Sequence, residues 1–524
     1  MEAAATDLRN GAPAGPKPTL ERPKKAGFGD YSTNAAMLLA PALKAPPREI
    51  AERLGERLKA RLEGIDRVEV AGPGFLNLFL ADDWYTATLP YLLQFDGGAA
   101  TTTERILVEF VSANPTGPVH VGHARNAAYG DALARLLAFE GHAVTREFYV
   151  NDFGTQVLRF GESIQARARG EAVPEGGYQG EYVAELAAEI PDAATADVET
   201  VARRAVDLMI ARNRDSLRAF HVEMDEWFSE RSLHERGLVE HAYERLAEMR
   251  TSYRSEGALW LRTTRFGDDK DRVLERSSGE HTYFASDIAY HQEKRERGFD
   301  RLIDVWGADH HGYVQRMKAA YEALGGDPER LELLIMQFVH LVERGGRASM
   351  SKRAGEFVTL DDLVAEIGTD AARWFLLARS HETTIELDLD VARDESPDKN
   401  PAHYVRYAHA RIASIMRDAG EERVREALAW SGAVELHPSE RELVRKLLTF
   451  PAEVSEAAER RAPHRVATYA LELARGFAAF YRDCHVLRAE TEDLKSFRIA
   501  LCVATRRTLA RSLDLLGISA PETM

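Results

Sequence analysis

Cysteine is nearly absent: the 524-residue chain carries two, Cys484 and Cys502. That excludes a disulfide framework and a cysteine-rich zinc site. It makes a reducing, cytoplasmic setting the expectation. No apolar run is long enough to cross a bilayer, and no charged-then-apolar segment opens the chain, so no membrane partner is expected. Cations are also in deficit: 68 Lys and Arg against 84 Asp and Glu give a net charge of -16. Indiscriminate nucleic-acid binding needs a cation excess. Any polyanion contact must therefore come from a local basic track on an acidic body. What remains, 45% hydrophobic residues over this length, fits roughly three or four globular domains.

The chain is organised around one run, Glu109-Phe-Val-Ser-Ala-Asn114-Pro115-Thr-Gly117-Pro118-Val-His120-Val-Gly122-His123. The residues before it, Ile106 to Val111, read as a short buried strand. Those after it, Ala124 to Phe139, read as a helix with Leu133, Leu136 and Leu137 on one apolar face. A turn between a strand and a helix N-terminus suits phosphate, because free N–H groups and the positive end of the helix dipole face outward. His120 and His123 can donate hydrogen bonds there, and Gly122 allows close approach of a nucleotide. No Gly-Lys-Ser/Thr follows the turn, and it is not Gly-x-Gly-x-x-Gly. An isolated H-x-G-H is as easily a turn cap in a core, so the downstream order has to decide.

Around this run the chain divides into three. Residues 1–98 read as a small α/β module: an Ala-, Gly- and Pro-rich start, helices from Ala35 to Leu43 and Pro47 to Leu62, and strands Arg67 to Val70 and Phe75 to Leu80. Residues 99–385 read as a Rossmann-like parallel sheet, since strand 106–111, helix 124–139 and strand 144–150 make a βαβ unit. Within it, 161–258 is Ala- and Glu-rich and reads as a helical insertion. Residues 386–524 read as all-α, with helices from Glu440 to Leu448, Arg465 to Tyr481 and Arg498 to Leu516.

Four later stretches carry chemistry. Phe228-Ser-Glu230-Arg offers a carboxylate. Tyr283 and Asp287, four apart, share one face of a strand-to-helix start. On the residues alone Glu230 reads as a surface charge, while Asp287 offers the planar, bidentate carboxylate partner that a guanidinium, which never sheds its charge, prefers. Gly307-Ala-Asp309-His310-His311 ends a buried strand: Gly307 permits close approach of an adenosine, and Asp309 can accept from ribose hydroxyls. Adjacent histidines diverge and lack a third ligand at helical spacing, so no metal held by protein side chains, zinc included, is expected. Last comes Ser349-Met350-Ser351-Lys352-Arg353-Ala-Gly355 after a Gly-Gly turn.

HVGH followed by SMSKR resembles the HIGH and KMSKS signatures of class I aminoacyl-tRNA synthetases. The flanking EFVSANPTGPVHVGHARN is similar to the arginyl-tRNA synthetase family. The resemblance implies a ligase that activates L-arginine with ATP and Mg2+ and transfers it to the terminal adenosine of tRNA(Arg). It implies catalytic roles for His120, His123 and Lys352, and ATP contacts at Gly122, Gly307, Asp309, Met350, Ser351 and Lys352. Arginine contacts follow at Glu109, Asn114, His120, Glu230, Tyr283 and Asp287. It implies an N-terminal tRNA-binding module with D-loop contacts at Phe75 and Asn77, although the opening helix usual there is not evident. It also implies a helical anticodon-binding domain with contacts at Tyr404, Tyr407 and Arg411, and a monomer. On the residues alone Phe75, Tyr404 and Tyr407 are equally core positions. The first signature lysine is replaced by Ser349.

Rival readings use less of the chain. A cysteinyl enzyme needs cysteine ligands, a valyl or isoleucyl type needs a long editing insertion, and the glutamyl type lacks the N-terminal module. A non-catalytic tRNA-binding relative would not need His120, His123 and Lys352. A metabolic nucleotidyltransferase leaves the helical tail unused.

Overall fold

A computed structural model describes residues 18–23, 27–98, 100–347 and 358–524. Met350, Ser351 and Lys352, with their neighbours Ser349 and Arg353, lie outside the described residues, as does the chain's first stretch.

The N-terminal module is built on a four-stranded antiparallel sheet, order β1-β2-β4-β3, from β1 (Leu20–Glu21), β2 (Tyr31–Thr33), β3 (Ile65–Ala71) and β4 (Phe75–Leu80). Helices α1 (Ala35–Leu43) and α2 (Pro47–Arg61) pack on it through Leu39, Ile50, Leu54 and Leu58. Pro47 opens α2 at a position where its missing N–H costs nothing. The β3–β4 turn passes so close to α2 that a side chain on Gly74 would come within 2.8 Å of Pro47. Two short helices, α3 (Asp82–Ala87) and α4 (Leu89–Gln94), then lead towards the C-terminal helices.

The central sheet is five-stranded and wholly parallel, in the order β12-β11-β5-β6-β7. Its strands are β5 (Arg105–Glu109), β6 (Ala143–Val150), β7 (Glu226–Ser229), β11 (Arg301–Gly307) and β12 (Leu331–Met336). Chain order runs outward in one direction from β5 and in the other from β11. The switch point lies between them, and ligands of open α/β sheets sit outside the strand C-termini at such a point. Asn126, on α5 (Val121–Phe139), ties the two strand ends together there. Its Oδ1 accepts from Val111 N at 2.7 Å, and its Nδ2 donates to Val305 O at 2.8 Å.

The stretch expected as a helical insertion over 161–258 is helical through α6 (Thr155–Arg169), α7 (Glu181–Glu189), α8 (Val198–Ala219), α9 (Glu230–Glu235) and α10 (Leu238–Glu248). It is not separate from the sheet. β7 is the edge strand of the central sheet, and β8 (Ser252–Ser255) opens a small antiparallel sheet with β9 (Ala258–Leu261) and β10 (Arg272–Glu275). Four residues are too few to show an alternating pattern, and Trp227 stacking on Phe148 at 4.3 Å supplies the missing drive for β7.

The strand-to-helix start expected at Tyr283 is reduced to a single His281–Glu275 bridge and an extended Thr282, which opens α11 (Tyr283–Glu296). After β11, α12 (Val314–Ala323) covers one face of the sheet. Beyond β12, β13 (Val339–Glu343) pairs with β14 (Gly346–Arg347) and with β15 (Ile385–Asp388). Between them lie α13 (Leu360–Ile367) and α14 (Thr369–Leu377). A short α15 (Leu389–Arg393) leads into the C-terminal bundle: α16 (Pro401–Ala419), α17 (Glu421–Leu428), α18 (Pro438–Leu447), α19 (Phe450–Glu459), α20 (His464–Asp483) and α21 (Glu492–Leu515).

The first module is fastened to this bundle rather than to the sheet's open edge. Arg441 pairs with Asp82, Arg445 with Asp30, and Arg511 with Asp96. No helix among the described residues is long and apolar enough to cross a membrane.

Candidate active site

The site begins where β5 ends. The strand was expected to run to Val111 but stops at Glu109, because Val111 and Ser112 adopt left-handed φ values of 70° and 42°. A β-branched residue there costs about 1–3 kcal/mol. The Val111–Asn126 hydrogen bond is what holds it. The reversal lets the Ser112 hydroxyl turn back to Glu109 Oε1 at 2.7 Å and leaves Asn114 exposed, its amide donating to Gln156 at 3.1 Å. Glu109 itself is buried, with Oε2 at 2.5 Å from Lys294 Nζ. Burial pushes its carboxyl up against the pull of that lysine.

α5 starts at Val121, earlier than expected, because His120 caps it: Nδ1 accepts from Gly122 N at 3.1 Å. An accepting Nδ1 puts the proton of the neutral ring on Nε2. A Cβ on Gly122 would lie 2.9 Å from His120 Cε1, so glycine is what lets the ring fold back. The His120 and His123 rings stack, with centroids 3.7 Å apart. Burial and the neighbouring His120 push His123 down to about 3, against Asp309; burial lowers His120 as well. His123 Nδ1 is buried with no hydrogen-bond partner among the described residues. The chain that follows the SMSKR stretch docks on this turn. Val121 N donates to Val358 O at 3.0 Å and Leu360 N to Val119 O at 2.7 Å.

From β11, Gly307 leads into a 3-10 turn, Ala308–Tyr313. A side chain on Gly307 would meet Asp309 Oδ1 at 2.6 Å. Asp309 is exposed on the cleft and pairs with His310 at 3.2 Å. Among the described residues no group of three or more His, Cys, Asp or Glu is arranged to hold a metal ion.

A carboxylate cluster forms the other wall. Glu230 opens α9 and is buried; burial, then Asp287 and Asp152, push it up to about 7, while hydrogen bonds from Ser286 and Tyr149 act the other way. Asp287 is raised by burial, although the Tyr313 hydroxyl donates to it at 2.6 Å. Asp152 accepts from Ser229 at 2.7 Å and from Arg231 N at 2.9 Å. Tyr283, one turn before Asp287, is 74% exposed at the mouth.

Sequence reading passed over Tyr149, Asp152, Ser286, Tyr313 and Lys294 in this site. Asp152 carried a signal, since it follows a strand's C-terminus in Asn151-Asp152-Phe-Gly154. The others are brought in only by tertiary packing.

The expected tRNA contacts divide. Phe75 is 41% exposed at the start of β4. Asn77 is not at the surface: β4 lies between β2 and β3, and Asn77 is buried with Oδ1 accepting from Ser32 at 2.8 Å. On α16, Tyr404 packs against the core, while Tyr407 is 45% exposed. One turn on, Arg411 donates to Tyr481 at 2.6 Å.

Comparison with known proteins covers all three parts. Residues 2–80 match the arginyl tRNA synthetase N terminal domain. Residues 89–173 and 177–388 match the catalytic domain of tRNA synthetases class I (R). Residues 405–524 match the DALR anticodon binding domain. An arginine–tRNA ligase of Desulforamulus reducens is 43% identical over 97% of this chain and 94% of its own. That of Geobacillus thermodenitrificans is 44% identical over 97% and 95%. The solved Thermus thermophilus arginyl-tRNA synthetase superposes with a TM-score of 0.74 at 27% identity, covering 100% of this chain and 99% of that one. The chain belongs to the arginyl-tRNA synthetase family, class I enzymes that join arginine to tRNA at the expense of ATP.

Proposed function

We propose that the arginine–tRNA ligase reaction runs across the β5/β11 switch point, with arginine on the carboxylate wall and ATP on the histidine turn. The observation that carries this is the presence of two chemically unlike groups at the strand ends: the buried carboxylates Glu230 and Asp287 on one side, the stacked imidazoles His120 and His123 on the other.

Arginine lies with its guanidinium between Glu230 and Asp287, under the Tyr283 ring. Asn114 orients the α-amino end, and Glu109 braces the loop that carries Asn114. Tyr313 and Ser286 hold the two carboxylates in place rather than touching the substrate. The arginine carboxylate then attacks the α-phosphorus of ATP, and the bond to the bridging oxygen breaks to release pyrophosphate. Carboxylate is a poor nucleophile, so the rate comes from positioning and from donors aimed at oxygens that gain charge. His120 Nε2–H and the His123 ring are those donors, at the positive end of the α5 dipole. Gly307 and Asp309 seat the adenosine, with Gly122 allowing its phosphates close. Lys352, with Met350 and Ser351 beside it, holds the leaving pyrophosphate. Mg2+ enters on the ATP phosphates as part of the substrate. The 2′-hydroxyl of the terminal adenosine then attacks the arginyl carbonyl, expelling AMP.

For tRNA(Arg) we assign Phe75 to the D-loop, and Tyr407 and Arg411 to the anticodon arm. The burial of Asn77 argues against direct contact by it, while half-buried Tyr404 packs its ring on the core. The working form is a cytoplasmic monomer.

Arginine-dependent ATP–pyrophosphate exchange tests the whole reading. We expect exchange that requires L-arginine and rises when tRNA(Arg) is added. Exchange driven equally by lysine, or none with tRNA present, overturns it.

A further inference from the structure

Lys294 lies inside α11, 11 residues after Tyr283, and its side chain is fully buried. A buried ammonium is expensive unless its charge and donors are met. Here two carboxylates meet it, from strands on either side of the switch point. Nζ lies 2.5 Å from Glu109 Oε2, at the end of β5, and 2.8 Å from Asp304 Oδ1, in β11. The Tyr290 ring covers it at 4.3 Å.

Each carboxylate passes the contact on. Glu109 takes the Ser112 hydroxyl on its other oxygen at 2.7 Å, and Ser112 is two residues from Asn114. The same hydroxyl receives Tyr149 N at 3.3 Å, so the loop is also tied to β6. Asp304 takes His291 Nε2 on its other oxygen at 2.8 Å. His291 Nδ1 is 2.7 Å from the backbone carbonyl of Asp287. One cation therefore joins the loop bearing Asn114 to the helix turn bearing Asp287.

We propose that Lys294 is a specificity-determining positioning residue: by riveting the Asn114 loop to the Asp287 turn it fixes the distance between the α-amino and guanidinium ends of the site, and so the side-chain length the enzyme accepts. The proposal rests on the arginine site assigned above. It does not put Lys294 in contact with substrate. A fixed span matters because a methylene more or less in an apolar pocket changes selection by only about 10–200-fold. A site that slackens loses this modest margin first.

The test compares L-arginine with L-homoarginine, one methylene longer, in ATP–pyrophosphate exchange with tRNA(Arg) present. Replacing Lys294 alone would leave two buried carboxylates without their cation, so the principal variant is Glu109→Gln with Lys294→Met, in which Asp304 keeps its bond to His291. We expect its preference for arginine over homoarginine in kcat/KM to fall about tenfold, with the KM for ATP within twofold of the parent. Ser112→Ala removes one hydroxyl from the chain of contacts and leaves the buried charges paired. It keeps the proposal testable should the double variant not fold, and its preference is expected to fall about threefold.

Equal losses for arginine and homoarginine in these variants mean a structural role and overturn the proposal. So does an unchanged preference in Ser112→Ala. Asp287→Asn separates the two levels. If it leaves the KM for arginine unchanged, the site assignment itself fails. If that KM rises while the length preference survives in the Lys294 and Ser112 variants, only the rivet fails.

Discussion

At the end of the cleft proposed for arginine, Glu230, Asp287 and Asp152 crowd together. At the phosphate end, two imidazoles stack over a helix N-terminus. Burial acts on both ends and drives both towards neutrality, lifting the Glu230 carboxyl to about 7 and lowering His123 to about 3. The consequences differ. A guanidinium brings its own fixed charge, so its arrival favours ionised carboxylates and displaces a proton from the first wall. Triphosphate would bring charge to a wall that stays neutral and offers imidazole donors and the positive end of a helix dipole. On the proposed assignment, the difference makes selection of the amino acid electrostatic and leaves catalysis at phosphorus to oriented dipoles. Under the proposal, fixed positive charge for the phosphates falls to Lys352.

The harshest way to break that division is Lys352→Ala. If the lysine alone adds full charge to the phosphate end, adenylate formation falls about a thousandfold while arginine binding, measured by equilibrium dialysis, holds within threefold. Equal loss of both would make the SMSKR stretch a structural element and dissolve the distinction. Next in size is Asp287→Asn. Removing one desolvated charge facing a cation costs about 2–5 kcal/mol, so the KM for arginine rises about a hundredfold and the KM for ATP stays put. A matching rise in both would mean that the two walls are one site.

How much of this could be read from the residues follows the same division. The phosphate end is local: the strand, HVGH turn and helix are consecutive, and their order with the SMSKR stretch carries the family. Even there the strained Val111–Ser112 reversal was invisible, since nothing in Phe-Val-Ser-Ala announces a left-handed valine. The arginine end is assembled from β6, β7, α9, α11 and the 3-10 turn. Glu230 was found only through the resemblance, Asp287 also through its four-residue spacing from Tyr283. Tyr313 and Asp152 complete it by packing across the sheet. Lys294 reads in sequence as one of several charges in Glu293-Lys-Arg-Glu-Arg, the pattern of a solvated helix end. Only carboxylates 185 and 10 residues away make it a buried cation. Asn77 fails in the opposite sense: a polar residue in a short strand looks exposed until neighbours on both sides cover it.

The gentlest test uses pH and leaves the chain intact. Glu230 is faced by Asp287 from α11, Asp152 and Tyr149 from β6 and its following loop, and Ser286 one residue before Asp287. In the free site its carboxyl is raised to about 7, so it is largely ionised at pH 8 and largely protonated at pH 6. Arginine stays cationic throughout and binds the ionised form. Its binding is therefore complete above the raised value and is lost as pH falls through it. For one group of this kind the KM for arginine rises about tenfold between pH 8 and pH 6. His123 titrates near 3, far below this window. The KM for ATP stays flat across it once ATP's own protonation is allowed for. Glu230→Gln should flatten the arginine profile and leave the ATP profile as it was. A parent profile already flat for arginine, or one that bends equally for both substrates, would show that proton displacement does not belong to the arginine wall alone.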